Sequence, residues 1–245
     1  MARVIAISNH KGGVGKTTLA ANLGFVLARH FKVLLIDLDP QSNLSTGLGF
    51  QNKPENIAKY FKEVIHFRLP QLKPYSIFTY VDIIPGHIDL YKIENQLHEA
   101  IRSEYILKEI LVPLQTQYDL ILVDCPPSFS ILTQNALNAC NLILIPAKPE
   151  IFSINGIDLI MNYAEQNALP VKIAFNQVNS RSNLHKRTLT EAKSHYNGKM
   201  LNHTIRNTVV LAEAFENAKN IFLYRSTSKG AEDFLSLSDE LLPYL

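Results

Sequence analysis

A glycine-rich segment near the N-terminus limits the possible folds of this chain more than any other feature. Residues 11–18 read K-G-G-V-G-K-T-T, between the apolar run at residues 4–7 and the helical pattern at residues 19–23. A strand, a glycine-rich turn and a helix in this order make a phosphate-binding loop, because the amides of the turn and the positive helix N-terminus point at one anion. The sequence therefore predicts a bound nucleotide.

The residues of this loop have separate predicted tasks. Lys16 reaches the β- and γ-phosphate oxygens, and the Thr17 hydroxyl can ligate Mg²⁺. The usual pattern G-x-x-x-x-G-K-[ST] is not met in full, because His10 stands where its first glycine would be and Lys11 opens the loop. The predicted nucleotide-binding residues are Lys11, Gly12, Gly13, Val14, Gly15, Lys16, Thr17 and Thr18.

Composition is that of a globular domain. The chain has 245 residues, 47% hydrophobic and 19% charged, which is enough to bury one large core, so we expect a single domain over residues 1–245. Its apolar stretches are far shorter than a spanning helix and no signal peptide is evident, which predicts a cytoplasmic protein without membrane contact. Cys125 and Cys140 lack any metal-ligand spacing and are interpreted as buried apolar residues.

Charge is distributed unevenly along the chain. Residues 172–229 contain ten basic and three acidic residues, an excess of seven positive charges, whereas the remainder has an excess of five negative charges. A basic C-terminal part from about residue 172 to 229 indicates a surface for a polyanion, because Lys and Arg gain affinity by displacing counterions from phosphates. A solvated basic face with no partner is the alternative.

The hydrophobic pattern predicts strands that alternate with helices. Runs of Val, Ile and Leu predict strands at residues 4–7, 32–37, 81–84, 120–124, 142–145 and 171–175. Helical patterns cover residues 57–65, 103–111, 132–139 and 156–166 and, more weakly, 184–196 and 231–242. Continuously apolar strands are typical of a parallel sheet that is covered on both faces, so we expect a doubly wound α/β fold with a mostly parallel sheet.

Three aspartates follow or end these predicted strands. Asp37 and Asp39 lie at the end of the second strand, and Asp124 ends an apolar strand about a hundred residues after the loop. Ligands of open α/β sheets bind beyond the carboxyl ends of the strands, so these carboxylates are expected at the phosphate pocket. Asp124 suits a Mg²⁺ site reached through water. Asp37 and Asp39 point to opposite sides, so one can serve the metal and the other can orient water; spacing does not decide which.

Several motifs together give the chain a family resemblance. They are residues 11–18, D-L-D-P-Q-S-N at 37–43, I-P-G-H-I-D-L at 84–90, D-C-P-P-S at 124–128, L-A-E-A at 211–214 and S-K-G-A-E at 228–232. In these motifs the chain resembles the small, Soj-like ParA-type partition ATPases. They belong to the deviant-Walker P-loop subclass, which also contains MinD-type ATPases and nitrogenase iron proteins. The resemblance spans nearly the whole chain.

The resemblance implies roles for individual residues. Lys11 would be the signature lysine, which reaches the partner's phosphates across an ATP-bound sandwich dimer. Asp39 would position the attacking water, Asp37 and Asp124 would support Mg²⁺, and Asn176 would read the adenine edge. At the level of the protein, the resemblance implies an ATP-dependent homodimer that binds nonspecific double-stranded DNA and hydrolyses ATP to ADP when a ParB-type centromere-binding protein stimulates it.

One departure from the family pattern concerns DNA. Many members have an arginine where this chain has Val210, and that arginine belongs to the surface that grips DNA. The remaining candidate contacts are Lys186, Arg187, Arg206 and Lys219. The chain also begins on its first strand without a helix-turn-helix extension, so we do not expect operator reading. If the protein binds DNA, we expect it to associate with the nucleoid.

Three other functions compete with this interpretation. A MinD-like positioning ATPase would need a basic amphipathic tail, but residues 238–245 are acidic and contain Pro243. A redox ATPase with an iron–sulfur cluster would need cysteines placed to bind it, and Cys125 is more simply a core residue. A nucleotide-dependent switch that binds a protein cargo would differ mainly in its slow turnover.

Overall fold

A seven-stranded sheet forms the centre of the molecule, whose computed structural model describes residues 1–150 and 153–245. The strands are β1 Arg3–Ile7, β2 Val33–Asp37, β3 Tyr75–Phe78, β4 Val81–Ile84, β5 Leu120–Asp124, β6 Leu142–Ala147 and β7 Val171–Phe175. Their spatial order is β3-β4-β2-β5-β1-β6-β7. Neighbouring strands are parallel except for β3, which pairs with β4 in the antiparallel direction.

Eleven α-helices connect and follow these strands within the described residues. They are α1 Lys16–Leu27, α2 Asn43–Gly47, α3 Ile57–Ile65, α4 Leu90–Leu97, α5 Ile106–Leu111, α6 Ile131–Ala139, α7 Ser153–Gln166, α8 Asn183–His195, α9 Val209–Glu216, α10 Ile221–Arg225 and α11 Lys229–Leu241. Short 3-10 helices occupy Ser103–Tyr105, Val112–Leu114 and Leu242–Tyr244. In the part of the chain that the structure describes, no helix has the length and apolar composition to cross a membrane.

The helices divide between the two faces of the sheet. Apolar side chains of α3 to α8 pack in one buried cluster, and those of α1, α2, α9, α10 and α11 pack in another. Successive residues of the central strands point alternately into one cluster and into the other. Both faces of these strands are therefore buried, which explains why the strands are apolar throughout. The predicted doubly wound α/β fold is confirmed.

The predicted strands and long helices are present, and the differences concern short or half-exposed elements. The helix predicted at residues 103–111 is a 3-10 turn followed by α5. β3 was not predicted, and its alternating exposure is typical of an edge strand. α2, α4, α9 and α10 were also not predicted; each has at most eight residues, which is too short for a clear period.

Strand register brings the candidate residues to one edge of the sheet. Ile7 of β1 lies opposite Asp124 of β5, and Asp124 lies opposite Asp37 of β2. The phosphate loop leaves β1 at this edge. The carboxyl ends of three adjacent strands therefore meet beneath the predicted phosphate pocket.

Candidate nucleotide-binding site

The phosphate loop has the backbone that its glycines predict. Gly13 and Gly15 have φ angles of 72° and 91°, a region that favours glycine. A Cβ atom at Gly15 would collide with the Nδ2 atom of Asn176, which itself donates a hydrogen bond to the Val14 carbonyl at 3.0 Å. Because α1 starts at Lys16, its first amides point into the loop without a side-chain cap. These amides suit an anion.

Lys16 lies beneath the loop and is already held in place. Its Nζ atom donates to the carbonyl of Asn9 at 3.0 Å and to that of Lys11 at 3.2 Å. Burial lowers the pKa of the Lys16 ammonium, whereas the nearby Asp124 carboxylate acts in the opposite direction. A buried cation that faces open space above the loop is positioned to bind phosphate oxygens.

Asp124 is the least satisfied polar group in this region. Its side chain is fully buried, and within the described residues neither carboxylate oxygen accepts a well-formed hydrogen bond. Burial, followed by the proximity of Asp37, raises the pKa of Asp124 well above its usual range, whereas the Thr17 hydroxyl has a smaller, opposite effect. A buried carboxylate that has no well-formed hydrogen bond to a described residue and lies beside a threonine hydroxyl suits a hydrated Mg²⁺ ion, which would supply donors through its water.

Asp37 and Asp39 differ in exposure and in partners. Asp37 is fully buried, and burial raises its pKa to about 6 despite hydrogen bonds from Ser45. Asp39 lines the open cleft above the loop and accepts a hydrogen bond from the Gln41 amide at 2.9 Å. Burial raises the pKa of Asp39, and Gln41 and Lys16 oppose this shift. Of the three predicted carboxylates, Asp39 is the one that reaches the cleft surface.

The side chains around the loop suit a metal ion that is held chiefly by the phosphates of a bound nucleotide. No group of three or more His, Cys, Asp or Glu side chains in residues 1–150 and 153–245 is arranged to hold a metal ion. Mg²⁺ in nucleotide sites keeps several waters and takes its other ligands from phosphates and one or two side chains. Thr17 and Asp124 supply such a partial site, and the ion would neutralise charge on the phosphates.

Lys11 lies at the rim of the loop and forms an ion pair that the sequence did not predict. Its Nζ atom lies 2.6 Å from Oε2 of Glu150, and the two side chains are 31% and 46% exposed. The hydrogen bond from Lys11 lowers the pKa of Glu150. The amide of Lys11 also donates to Oδ1 of Asn9 at 2.9 Å. The Lys11 ammonium is thus directed by a carboxylate of its own chain.

An open cleft of about 780 Å³ extends from the loop toward the C-terminal helices. It passes Asn43 and Thr46 of α2 and reaches Asn176, Gln177 and residues 206–209. Asn176 is buried, and its Oδ1 atom accepts a hydrogen bond from the Gln177 amide at 2.8 Å. The size and the polar ends of this cleft suit a nucleotide. The adenine contact of Asn176 stays a prediction.

The four predicted DNA contacts have different surroundings. Lys186 and Arg187 are exposed on α8, and Lys219 is exposed between α9 and α10. Arg206 instead lines the nucleotide cleft and forms two hydrogen bonds of 2.7 Å with the Asp233 carboxylate. Part of the basic excess of residues 172–229 is therefore balanced by acidic residues of α11.

Several site residues escaped sequence reasoning. Asn9 organises the loop, since its carbonyl binds Lys16 and its side chain bridges the Lys11 amide and the Pro146 carbonyl. Gln177 donates to the Gly13 carbonyl at 3.0 Å. Asn9 lies two residues before the loop motif, so the residues that precede the motif are a place where sequence analysis can look for a loop-organising side chain. The sequence around Glu150 and Gln177 contains no motif that indicates a role at the nucleotide site.

The parallel sheet, the glycine-rich loop and the buried lysine define a P-loop nucleotide-binding protein. A family model described as an AAA domain matches residues 2–177. The chain is 34% identical over 249 residues to the sporulation initiation inhibitor protein Soj of Bacillus subtilis, with 98% of each chain covered. It is 35% identical to the chromosome partitioning protein ParA of Myxococcus xanthus, covering 98% of this chain and 88% of the relative.

A solved nucleotide-bound structure has the same fold. Cobyrinic acid a,c-diamide synthase from Mycobacterium smegmatis, with a bound ATP analogue and magnesium, superposes with a TM-score of 0.84. It is 27% identical, and the match covers 100% of this chain and 96% of that chain. The chain belongs to the ParA/Soj-type family of partition ATPases, as its sequence motifs predicted.

Replacing Asp124 with asparagine is expected to stabilise the nucleotide-free protein. The Asp124 carboxyl group is fully buried, and within the described residues neither of its oxygens has a well-formed hydrogen bond, so an uncharged amide at this position should raise the free energy of unfolding by about 1–3 kcal/mol. For a chain of this size, that corresponds to a rise in melting temperature of roughly 2–12 °C. The same variant should need more Mg²⁺ for nucleotide binding.

Calorimetry across pH and the matched Asp37→Asn variant check this prediction. A raised folded-state pKa means that the acid form is favoured in the folded protein, so stability is lost as the pH rises through that pKa. The advantage of Asp124→Asn should therefore grow with pH. Asp37→Asn should lower the melting temperature, because an amide replaces an acceptor of three hydrogen bonds. A destabilised Asp124→Asn protein would show that Asp124 has a stabilising partner.

Proposed function

We propose that this chain is a Mg²⁺-dependent ATPase that forms a homodimer around ATP and binds double-stranded DNA without sequence preference. A ParB-type centromere-binding partner stimulates its hydrolysis of ATP to ADP and phosphate. Residues 1–245 act as one ATPase domain, and the basic part at residues 172–229 faces DNA, which makes the protein cytoplasmic and nucleoid-associated. The C-terminal tail takes no part in membrane binding.

One observation carries the catalytic part of the proposal. Lys16 and Asp124 lie together beneath the glycine-rich loop, the first amides of α1 have no side-chain cap, and Asp39 faces the same cleft; within the described residues Asp124 has no well-formed hydrogen bond. This arrangement offers donors to a triphosphate, a site for a hydrated cation and a carboxylate for the attacking water. The structural relative with an ATP analogue and magnesium supports the same cofactors.

The first test of the proposal is size-exclusion chromatography with ADP, ATP and a nonhydrolysable ATP analogue, combined with a phosphate-release assay. We expect a monomer with ADP, a dimer with ATP or the analogue, and hydrolysis that needs Mg²⁺. Omission of Mg²⁺ is the internal control. Hydrolysis without dimer formation would contradict the role of the second subunit.

Replacing Lys11 with alanine is expected to separate dimer formation from nucleotide binding. The Lys11 ammonium is at the loop rim, and its contact with Glu150 shows that it binds an anionic oxygen there. In the dimer the partner's phosphate would replace that carboxylate. We expect Lys11→Ala to bind ADP normally and to lose the ATP-dependent dimer in size-exclusion chromatography.

Lys108→Ala, which removes an exposed lysine of α5, is the charge-matched control for Lys11→Ala. This control should dimerise normally. If Lys11→Ala weakened ADP binding as much as ATP binding, Lys11 would instead contact the nucleotide of its own subunit.

The ATP-bound dimer is expected to bind DNA of any sequence with a strong dependence on salt. Each phosphate contact adds about 0.9 to the magnitude of the slope of log affinity against log salt, and dimerisation doubles the contacts. Removing Lys186 or Arg187 should lower affinity evenly across sequences and reduce the slope by about one unit per phosphate lost. Arg206 should matter less, because its guanidinium is bound to Asp233.

Fluorescence anisotropy with two unrelated DNA duplexes at several salt concentrations measures this binding. Lys108→Ala, with the same loss of charge, should leave the slope unchanged. A dimer that forms normally but shows no salt-dependent binding would contradict the DNA proposal and favour a positioning ATPase or switch with a protein cargo.

A further inference from the structure

Ser45 joins three segments at the carboxyl edge of the sheet. Its hydroxyl donates a hydrogen bond to Oδ2 of Asp37 at 2.6 Å, and its amide donates to the same oxygen at 2.8 Å. The Ser45 oxygen in turn accepts a hydrogen bond from the Gly86 amide at 2.8 Å. Asp37, Ser45 and Gly86 are all buried. The hydroxyl is therefore both donor and acceptor in a buried network.

The network leaves no room for a side chain at Gly86. A Cβ atom at Gly86 would lie 2.9 Å from Cγ of Asp37 and 3.0 Å from Oγ of Ser42. The loop that follows β4 thus lies directly against the end of β2. The glycine permits this close approach.

Asp37 also holds the start of the segment that carries Asp39. Its Oδ1 atom accepts a hydrogen bond from the Asp39 amide at 3.2 Å. One carboxylate consequently binds residue 39 through one oxygen and residue 45 through the other. Asp39, which faces the cleft, is therefore itself the first of these two attachment points.

The two fully buried carboxylates of the site are in opposite situations. Asp37 accepts three hydrogen bonds from the protein itself, whereas Asp124 has no well-formed hydrogen bond to any described residue. A carboxylate offers about four acceptor positions, so Asp37 has little capacity left for a hydrated ion. Asp124, with only the Thr17 hydroxyl beside it, keeps most of its acceptor capacity.

We propose that Ser45 is a positioning residue for ATP hydrolysis, and that Asp37 acts through Ser45 and the Asp39 backbone rather than as part of the Mg²⁺ site. The inference rests on the proposed ATPase function. It differs from the sequence interpretation in one respect, because it assigns the metal to Thr17 and Asp124 and not to Asp37. Ser45 and Asp37 together fix the direction of the Asp39 carboxylate toward the attacking water, and Gly86 extends this restraint to the loop after β4.

The test compares Ser45→Ala with the conservative Ser45→Thr variant in single-turnover hydrolysis of ATP. Ser45→Ala removes the hydroxyl and leaves the Gly86 amide without its acceptor. We expect the rate constant of hydrolysis to fall on the order of 10- to 100-fold, as for other small displacements of a reacting group. The KM for ATP and the Mg²⁺ concentration for half-maximal ADP binding should stay unchanged. Ser45→Thr should restore the rate.

Ser238→Ala is the matched control, because it removes a buried serine hydroxyl from α11 that donates to the Leu235 carbonyl. Its hydrolysis rate should equal that of the wild type. If Ser45→Ala fails to fold, Gly86→Ala disturbs the same contact from the other side and should lower the rate in the same way. Hydrogen exchange adds a readout without nucleotide: the Gly86 amide should exchange faster in Ser45→Ala.

Three results would overturn the inference. They are a normal hydrolysis rate in Ser45→Ala, an unchanged exchange rate of the Gly86 amide, and a rise in the Mg²⁺ requirement for ADP binding. The last result would return Asp37 to the metal site. A wild-type protein that fails to hydrolyse ATP would contradict the proposed function instead, and Mg²⁺-dependent ADP binding and hydrogen exchange would still decide the role of Ser45.

Discussion

Replacing Lys16 with alanine is expected to abolish ATP binding, ATP-dependent dimer formation and hydrolysis together. Lys16 is the buried cation beneath the phosphate loop, and its Nζ atom is held by two backbone carbonyls in the direction of the cleft. When ATP is bound, Lys16 is expected to donate one hydrogen bond to a β-phosphate oxygen and one to a γ-phosphate oxygen. Hydrogen bonds to charged groups contribute about 1.5–3 kcal/mol each, so the loss of these two should weaken ATP binding on the order of 10²- to 10⁴-fold. Isothermal titration calorimetry with ATP and ADP measures this loss.

Lys16→Met separates charge from packing in this experiment. Methionine keeps most of the buried stem of lysine but has neither the charge nor the donors, so it should fail in the same way as alanine. Thermal unfolding without nucleotide shows whether each variant is folded. Retention of ATP-dependent dimers and hydrolysis in either variant would refute the assignment of Lys16.

The sheet could be predicted from sequence because its strands are buried on both faces. Six of its seven strands are runs of Val, Ile and Leu, and burial on both faces requires such runs. β3 has one exposed face and pairs with β4 only at the sheet edge, so its residues alternate over just four positions. The short helix α9 was missed for a related reason: eight residues, rich in apolar side chains all round, show no clear amphipathic period.

The phosphate loop could be predicted because its function depends on adjacent residues. Backbone amides, Lys16 and Thr17 act within one turn of chain, so their chemistry is visible as a motif. The partners of the loop come from distant segments. Lys11 and Glu150 are 139 positions apart, and Gln177 and Gly13 are 164 positions apart. Only the fold brings such pairs together, and neither residue of a pair indicates the other.

The different roles of the three aspartates depend on contacts that spacing cannot show. Asp37 and Asp39 are two positions apart, yet one is buried among donors and the other faces the cleft. Ser45 supplies two of the three donors to Asp37, and Gly86 donates to Ser45; both are common residues without a catalytic signature. The sequence could therefore locate the carboxylates but could not divide their roles.

Replacing Asp39 with alanine is expected to stop hydrolysis while leaving ATP bound. Asp39 lines the cleft, and burial raises its pKa toward the range in which a carboxylate accepts a proton more readily. A group that orients or deprotonates the attacking water typically contributes 10²- to 10⁴-fold to the rate, so a loss of about that size is expected. Since Lys16, Thr17 and Asp124 are untouched, the variant should accumulate as an ATP-bound dimer in size-exclusion chromatography.

Asp39→Asn is the closer comparison, because its side-chain carbonyl can still accept the hydrogen bond from the Gln41 amide. If the carboxylate acts on water, asparagine should hydrolyse ATP as slowly as alanine, since the amide is a far weaker proton acceptor. If Asp39 only fixes the local backbone, asparagine should restore hydrolysis. Normal turnover in Asp39→Ala would remove Asp39 from the reaction, because a water-orienting group cannot be lost without a change in rate.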